Sequence, residues 1–229
     1  MGNIIELKDI NKIYGDKVKN QVLFDINLGF KESSFNSIIG QSGSGKSTLM
    51  NIVGTLDTPT SGQILIGGQN TTDMSKDELA ALRNETIGFI FQFHHLLPEY
   101  SVLENILMPY RIQHNKITKE ALDRANYLID MVGLSKVKNN GSTEISGGQQ
   151  QRAAIARSLI NEPKIILGDE PTGNLDSDTS KTVFQLMKDI NKELKTTFIL
   201  ITHDQKVAEQ ADRIIEIKDG NVHMDIDNL

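Results

Sequence analysis

Short apolar runs alternate with longer stretches of helical periodicity along the chain. Strands are predicted where apolar residues cluster or alternate with polar ones. They fall at residues 4–7, 22–27, 35–39, 63–66, 87–91, 164–167 and 197–201. Helices are predicted at residues 46–53, 119–132, 149–161 and 179–194. A further helix runs to about residue 84, because Ser75 and Glu78 are spaced as a capping box, and a turn is predicted at Asp219 and Gly220.

This order of elements predicts an α/β protein, with a mostly parallel sheet covered by helices on both faces. Residues from about 93 to 141 differ, because they carry helical stretches bounded by polar loops. We interpret them as a helical insertion in the α/β domain. Ligand sites on such sheets lie at the carboxyl ends of strands, so polar residues directly after the predicted strands are the first candidates for function.

Composition narrows the classes of function. The chain has 229 residues, no cysteine and a formal net charge of −6. Disulfides and thiolate chemistry are therefore excluded, and the acidic balance argues against a nucleic-acid partner. No apolar run approaches the roughly 20 residues of a membrane-spanning helix, and the first residues lack the pattern of a signal peptide. A role at a membrane would need a second chain that spans it.

A phosphate-binding loop is predicted directly after the strand at 35–39. The run GQSGSGKST matches the P-loop pattern at Gly40, Gly45, Lys46 and Ser47. Its glycines let backbone N–H groups wrap around phosphate oxygens, and the N-terminus of the following helix adds a positive dipole. Lys46 can reach the β- and γ-phosphates, and the Ser47 hydroxyl can bind Mg²⁺. The loop predicts nucleotide binding.

Two adjacent carboxylates follow the apolar strand that ends at Leu167. We assign Asp169 to Mg²⁺, through a water molecule. Glu170 comes next and faces another way on an extended chain, where it can act as general base toward an attacking water. A pair of surface acids at a strand end is the alternative, but the P-loop upstream favours catalysis.

The segment EISGGQQQR predicts a second phosphate-seeking helix end. Ser146 is a good N-cap, and Gly147 and Gly148 leave the backbone open to close approach. One domain needs one such helix per nucleotide. The second is explained if it completes a site on another copy of the chain.

With its motifs in this order, the chain resembles the ATP-binding subunits of ABC transporters. Residues 146–149 match the family's LSGGQ signature, with Ile145 in place of leucine, and the resemblance extends from Tyr14 to the end of the chain. Within the family, the phrases FQFHHLLPEYSVLENI and DEPTGNLDS are similar to the group that serves lipoprotein release, macrolide export and antimicrobial-peptide resistance.

The resemblance implies a P-loop ABC-type ATPase fold. Its parts would be a mostly parallel sheet, a small antiparallel β region and a helical subdomain at about 93–160, within a single domain spanning 1–229. It also implies roles for individual residues. The ATP-binding set is Tyr14, Gly40, Gln41, Ser42, Gly43, Ser44, Gly45, Lys46, Ser47 and Thr48. The other sets are Glu170, His203 and Gln92 for catalysis; Ser47, Gln92 and Asp169 for Mg²⁺; Ser146, Gly147, Gly148 and Gln149 for the ATP of the opposite subunit; and Asp176 for the D-loop.

Some of these residues have simpler interpretations that stay open. Tyr14, expected to stack on adenine, could be a packed tyrosine at a sheet edge. Gln92 and His203, expected near Mg²⁺ and the γ-phosphate, could be solvated surface residues, and Asp176 could cap a helix.

The implied mechanism is a head-to-tail dimer of two copies that closes on ATP and drives a separate membrane permease. The cofactors would be ATP and Mg²⁺, and the partners a second copy and the permease, without nucleic acid. The chain would lie in the cytoplasm, on the inner face of the cell membrane. An ABC-type ATPase of the cell-division kind, which signals through a membrane partner without transport, is the alternative.

Overall fold

The computed structural model describes residues 2–228. The strands are β1 (Asn3–Tyr14), β2 (Asn20–Lys31), β3 (Phe35–Ile39), β4 (Ser61–Ile66), β5 (Gln69–Asn70), β6 (Ile87–Phe91), β7 (Ile165–Asp169), β8 (Thr197–Ile201), β9 (Arg213–Lys218) and β10 (Asn221–Asp227). The α-helices are α1 (Lys46–Val53), α2 (Lys76–Thr86), α3 (Val102–Gln113), α4 (Lys119–Met131), α5 (Gly147–Ser158), α6 (Ser177–Leu194) and α7 (Gln205–Ala208). Short 3-10 helices lie at Ser135–Val137 and Ser142–Glu144.

Two sheets organise the fold. One has the order β2-β1-β4-β5 and is antiparallel. The other has the order β10-β9-β3-β8-β7-β6, parallel from β9 to β6, with β10 antiparallel at one edge. The predicted α/β class, with a mostly parallel sheet, a small antiparallel region and helices, is confirmed.

Locally encoded elements match their predicted bounds best. β3, α1, β6 and β8 begin and end where the pattern predicts. The capping box of Ser75 and Glu78 forms before α2. β1 and β2 are longer than predicted, because their outer halves pair with each other across the sheet despite weak alternation.

Two helices begin earlier than predicted, because their capping residues directly precede the helix. Ser146 caps α5 at Gly147 rather than residue 149, and Asp176 caps α6 at Ser177 rather than residue 179. α5 also stops at Ser158 instead of 161. Pro163 follows closely, and the residues before a proline disfavour helix.

α3 is the helix that the pattern of apolar residues leaves undefined. It has its own capping box, of Ser101 and Glu104, but contains Pro109 in its interior. Proline removes a helix hydrogen bond, so the sequence of this segment does not predict a continuous helix. It packs against α4 and α5 around buried residues such as Ile106 and Leu128.

The parallel register brings the predicted site residues to one edge. Asp169, the last residue of β7, pairs with Phe91 of β6 on one side and with Ile201 of β8 on the other. The residues that follow these strands therefore lie side by side, and β3 delivers Gly40 to the same edge.

Candidate nucleotide site

Among α1 to α6, only α1 has an N-terminus that no side chain of the chain caps. Its N-cap is Gly45, at a φ of 105°, and no side chain caps it. The helices α2 to α6 each begin at a Ser, Thr or Asp that accepts a hydrogen bond from the first turn. The uncapped N–H groups of α1 and its dipole therefore favour an anion.

The glycines of this loop are required by close packing. Gly40 has a φ of 147°, and a Cβ there would collide with the carbonyl oxygen of Ile217. A Cβ on Gly45 would lie 2.9 Å from a methyl group of Leu23. The loop thus passes tightly between strands of both sheets in a conformation that other residues rarely adopt.

Lys46 is buried and folds back over the loop. Its Nζ donates to the carbonyl oxygens of Gly40 at 2.8 Å and Gln41 at 2.7 Å. Burial lowers the pKa of Lys46, and the charges of Glu170 and Asp169 partly oppose that effect. A bound phosphate would supply an anion where the ammonium group now faces neutral carbonyls.

Ser47 and Asp169, the two residues assigned to Mg²⁺ from the sequence, lie close to each other. Burial and the charge of Glu170 raise the pKa of Asp169, and they outweigh the lowering effects of the nearby Ser47 side chain and of Lys46. A cation here would favour the ionised form. Within residues 2–228, no group of three or more His, Cys, Asp or Glu can hold a metal by itself. These hard oxygen donors fit Mg²⁺ that phosphate oxygens help to bind.

Glu170 and His203 form a direct pair. The His203 Nδ1 lies 3.1 Å from the Glu170 Oε1. Glu170 has a φ of 47°, so it leaves the strand in a left-handed conformation. Its separation from Asp169 therefore comes from this backbone turn, whereas the sequence suggested an extended chain. The His203 side chain is 66% exposed and can turn toward a bound ligand.

Gln92 lies beside this pair but is bound to another loop. Its Nε2 donates to Asn174 Oδ1 at 3.2 Å, and Asn174 Nδ2 donates to the Gln92 carbonyl at 3.1 Å. Gly173 sits between the two catalytic candidates, since a Cβ there would lie 2.9 Å from Gln92 Nε2 and 3.2 Å from Glu170 Oε2. Sequence reasoning did not predict this contact between Gln92 and Asn174, because the two residues lie 82 positions apart.

Tyr14 is the last residue of β1 and is 40% exposed. Its hydroxyl donates to Asp57 Oδ2 at 2.7 Å. Burial and Asp57 raise the pKa of Tyr14, and the nearby side chain of Thr48, in the first turn of α1, partly opposes that rise. The ring therefore stands next to the phosphate loop, where an adenine-stacking residue would be expected. Lys12 and Asp57, which contact it, were missed by sequence reasoning.

The signature segment is separate from these residues and faces outward. Ser146 Oγ accepts from Gln149 N at 3.3 Å, and Ser146 N donates to Gln149 Oε1 at 2.9 Å, so the predicted N-cap is confirmed as a capping box. A Cβ on Gly147 would meet nothing within 4 Å. The chain itself therefore gives no packing reason for glycine at this exposed position, which suits approach by another molecule.

Asp176 is the N-cap of α6, which agrees with the simpler interpretation that it caps a helix. Its Oδ1 accepts from the backbone N–H of Asp178 at 3.1 Å and of Thr179 at 3.0 Å. Hydrogen bonds from Thr179 lower the pKa of Asp176. Its exposure leaves a contact with a second subunit open, and that contact stays a prediction.

Comparison with known proteins agrees with this geometry. The family model described as ABC transporter matches residues 23–173, more than half of the chain. The chain is 45% identical over 224 residues to the lipoprotein-releasing system ATP-binding protein LolD 1 of Rhodopseudomonas palustris, covering 97% of this chain and 99% of that protein.

Solved structures agree as well. The ATP-binding cassette MJ0796, solved as a dimer in a post-hydrolysis state with ADP and Pi, superposes with a TM-score of 0.88 at 41% identity, over 98% of this chain and 99% of that one. CbiO1 from Clostridium perfringens, part of the ABC transporter complex cbiONQ, gives a TM-score of 0.90 at 28% identity, over 100% and 90%.

Across residues 2–228, no helix has the length and apolar character needed to cross a bilayer. The matched family, the P-loop and the acidic pair all agree with the resemblance inferred from the motifs. The chain belongs to the ABC transporter family, as an ATP-binding cassette that hydrolyses ATP.

Proposed function

We propose that this chain is the ATPase of a system that exports or extracts a peptide, a lipoprotein or a hydrophobic compound, with lipoprotein extraction favoured. The observation that carries the proposal is the 45% identity, over 97% of the chain, to a lipoprotein-releasing ATP-binding protein. Two copies would act with a permease, on the cytoplasmic face of the membrane. The alternative is the signalling role of a cell-division ATPase, which would share the same motifs and also act with a membrane partner.

The site residues take the following roles in this proposal. The phosphates of ATP bind at residues 40–48, with the base on Tyr14. Mg²⁺, held by Ser47, Gln92 and Asp169, would neutralise phosphate charge and orient the phosphoryl group. Glu170 takes a proton from the attacking water, and His203 turns from Glu170 to the γ-phosphate. The pairing of His203 with Glu170 at 3.1 Å supports these last two roles.

The second copy would complete each site. Ser146, Gly147, Gly148 and Gln149 would bind the γ-phosphate of the opposite subunit, with Asp176 at the same interface. The open space around Gly147 supports this arrangement. ATP then joins the two subunits, and hydrolysis weakens the contact, which gives a two-state cycle of closing and opening.

A groove beside Gln92 is the proposed docking site for the permease. It has a volume of about 660 Å³ and lies between α2, α3 and the end of β6. Leu56, Phe91 and Ile112 line it and are 51%, 36% and 77% exposed. An apolar segment of the permease would bind on this surface and contact Phe91, the residue before Gln92. We also propose that residues 1–229 form one domain, with the helical subdomain at about 93–160 inserted.

Co-purification from gently solubilised native membranes tests the proposal. We expect a stoichiometric multi-span membrane protein with the wild-type chain and less of it with Ile112→Asp. Reconstituted in proteoliposomes, the complex should release a lipoprotein on addition of ATP, and a Glu170→Gln complex should not. Recovery of the chain without a membrane protein, or with cell-division proteins alone, would contradict a transport role.

A further inference from the structure

Lys12 is a buried lysine that none of the motifs explains. It lies on β1 and is 8% exposed. Its Nζ donates to Asp57 Oδ1 at 2.6 Å and to the Thr58 carbonyl at 2.7 Å. Lysine is seldom buried to this degree unless it is paired, so the ammonium group is held in one position.

Asp57 connects Lys12 to Tyr14. One carboxylate oxygen accepts from Lys12, and the other accepts from the Tyr14 hydroxyl at 2.7 Å. Burial would raise the pKa of Asp57, but hydrogen bonds from Lys12, Tyr14 and the Thr58 N–H outweigh it and hold the pKa below its ordinary value. Burial and Asp57 raise the pKa of Tyr14, so the phenol stays a neutral donor.

Lys12 also contacts the ring of Tyr14. Its Nζ lies 4.7 Å from the ring centroid, within the range of a cation–π interaction. One face of the ring is thus covered by the ammonium group. Tyr14 is still 40% exposed, so part of its surface is open to a flat ligand. Its hydroxyl is bound to Asp57, so the ring has little freedom to turn.

The loop after α1 ties this cluster to the phosphate site. The backbone N–H groups of Leu56 and Asp57 both donate to the Asn51 carbonyl, at 2.8 Å and 3.1 Å. Asp57 is therefore anchored to the same helix whose first turn carries Lys46 and Ser47. The distance from the ring of Tyr14 to the phosphate loop is fixed through α1.

We propose that Lys12 and Asp57 are positioning residues that hold Tyr14 as a preorganised platform for a purine base. The inference rests on the proposed adenine role of Tyr14. Both carboxylate oxygens of Asp57 already accept hydrogen bonds, from Lys12, Tyr14 and the Thr58 N–H. The cluster therefore offers the base a ring face to stack on and no hydrogen bond to the edge of the base. Stacking does not discriminate strongly between bases, so the affinities for ATP and GTP should depend equally on this platform.

Equilibrium binding of three probes tests this on the purified full chain: MgATP, MgGTP and magnesium tripolyphosphate, which has no base. The variants are Lys12→Met, Asp57→Asn, Tyr14→Phe and Tyr14→Ala. Lys8→Met is the matched control, because Lys8 lies on the same strand but is 53% exposed and pairs only with Glu6 at 3.4 Å.

Tyr14→Ala should weaken ATP and GTP about 5- to 100-fold, the range expected for a lost stacking contact. Lys12→Met, Asp57→Asn and Tyr14→Phe should weaken both about 2- to 10-fold, because a freed ring must be ordered again on binding. Tripolyphosphate binding should not change, because this probe has no base, and Lys8→Met should match the wild type for all three probes. In a Tyr14→Ala background, the further substitution Asp57→Asn should not weaken ATP or GTP binding any more.

The outcomes separate the two ideas. Unchanged ATP binding in Tyr14→Ala would overturn the adenine role and the platform with it. The positioning role would be overturned if ATP affinity fell in Tyr14→Ala but not in Lys12→Met, Asp57→Asn or Tyr14→Phe. That result would still support the adenine role of Tyr14. Equal weakening of tripolyphosphate would mean that the cluster supports the phosphate loop instead. Tyr14→Phe removes one hydroxyl only, so it keeps the test valid if Lys12→Met fails to fold.

Discussion

Gln92 and Asn174 bind each other through two hydrogen bonds that run in opposite directions. The Gln92 amide donates to the Asn174 side chain at 3.2 Å, and the Asn174 amide donates to the Gln92 backbone at 3.1 Å. This pair joins the loop after β6 to the loop before Asp176. Neither bond uses Gln92 Oε1, the side-chain oxygen that would bind a metal or accept from a water in the proposed role.

A methyl group at Gly173 should disturb catalysis without disturbing binding. The Cβ in Gly173→Ala would lie 2.9 Å from Gln92 Nε2 and 3.2 Å from Glu170 Oε2, so both side chains must shift. We expect kcat to fall about tenfold or more, as misplaced catalytic groups cost at least this much. The Kd of ATP should stay the same, because the phosphate loop is not touched. A variant with wild-type kcat would show that neither side chain needs its present position.

Gly147→Ala should stabilise the free chain and impair its function. Gly147 lies in the first turn of α5, its φ is not positive, and a Cβ there has nothing within 4 Å. Thermal unfolding should show a gain of about 0.4–1 kcal/mol. If a second copy's ATP approaches this backbone, ATP-dependent dimerisation, followed by light scattering, should weaken. A stabilised variant that dimerises normally would place the γ-phosphate contact elsewhere.

Glu170→Gln should stop turnover and trap the dimer. The amide keeps the shape of the side chain but cannot accept a proton, so kcat should fall about 100-fold or more. ATP should then remain bound and hold two copies together in size-exclusion chromatography. His203→Gln is the comparison, since it removes the partner 3.1 Å away and leaves the carboxylate. A Glu170→Gln protein that is monomeric with ATP and fully active would rule out the assignment.

Lys46→Ala should weaken ATP binding. The ammonium group donates to the carbonyl oxygens of Gly40 and Gln41, so it lies within the loop that is expected to hold the phosphates. Titration with MgATP should show a raised Kd, while far-UV circular dichroism stays unchanged. Lys181→Ala, which removes an exposed lysine on α6, serves as control. Equal affinity in Lys46→Ala and the wild type would contradict a phosphate-binding role for Lys46.

The contribution of Asp57 to stability should depend on pH. Its folded pKa lies below the ordinary value of 3.8, so the ionised form stabilises the fold above that pH. This contribution is lost as the pH falls through the lowered pKa. The difference in unfolding free energy between wild type and Asp57→Asn should therefore be largest near neutral pH and shrink below about pH 4. A difference that is constant between pH 7 and pH 3 would mean that the carboxylate charge is not involved.

Local signals in the sequence were sufficient for the elements and motifs that depend on neighbouring residues. The strands at 35–39 and 87–91 form where their apolar runs predict, and Ser75 and Ser146 cap the helices that follow them. The order of the P-loop, the SGGQ segment and the acidic pair was enough to predict the family. Ser101 and Glu104 formed a capping box as well, and that local signal could have located α3.

Contacts between distant segments were decided by the tertiary structure. Lys12 and Asp57 lie 45 positions apart, and Gln92 and Asn174 lie 82 apart. Neither pair has a pattern that one segment alone could reveal. Parallel strand register places Gln92, Glu170 and His203 at one edge, and packing of the loop after α1 against β1 brings Asp57 to Tyr14. The sequence by itself thus determined which chemical groups the protein has. Only the fold determined which of them meet, because a side chain's partners follow from the register and packing of segments far apart in the chain.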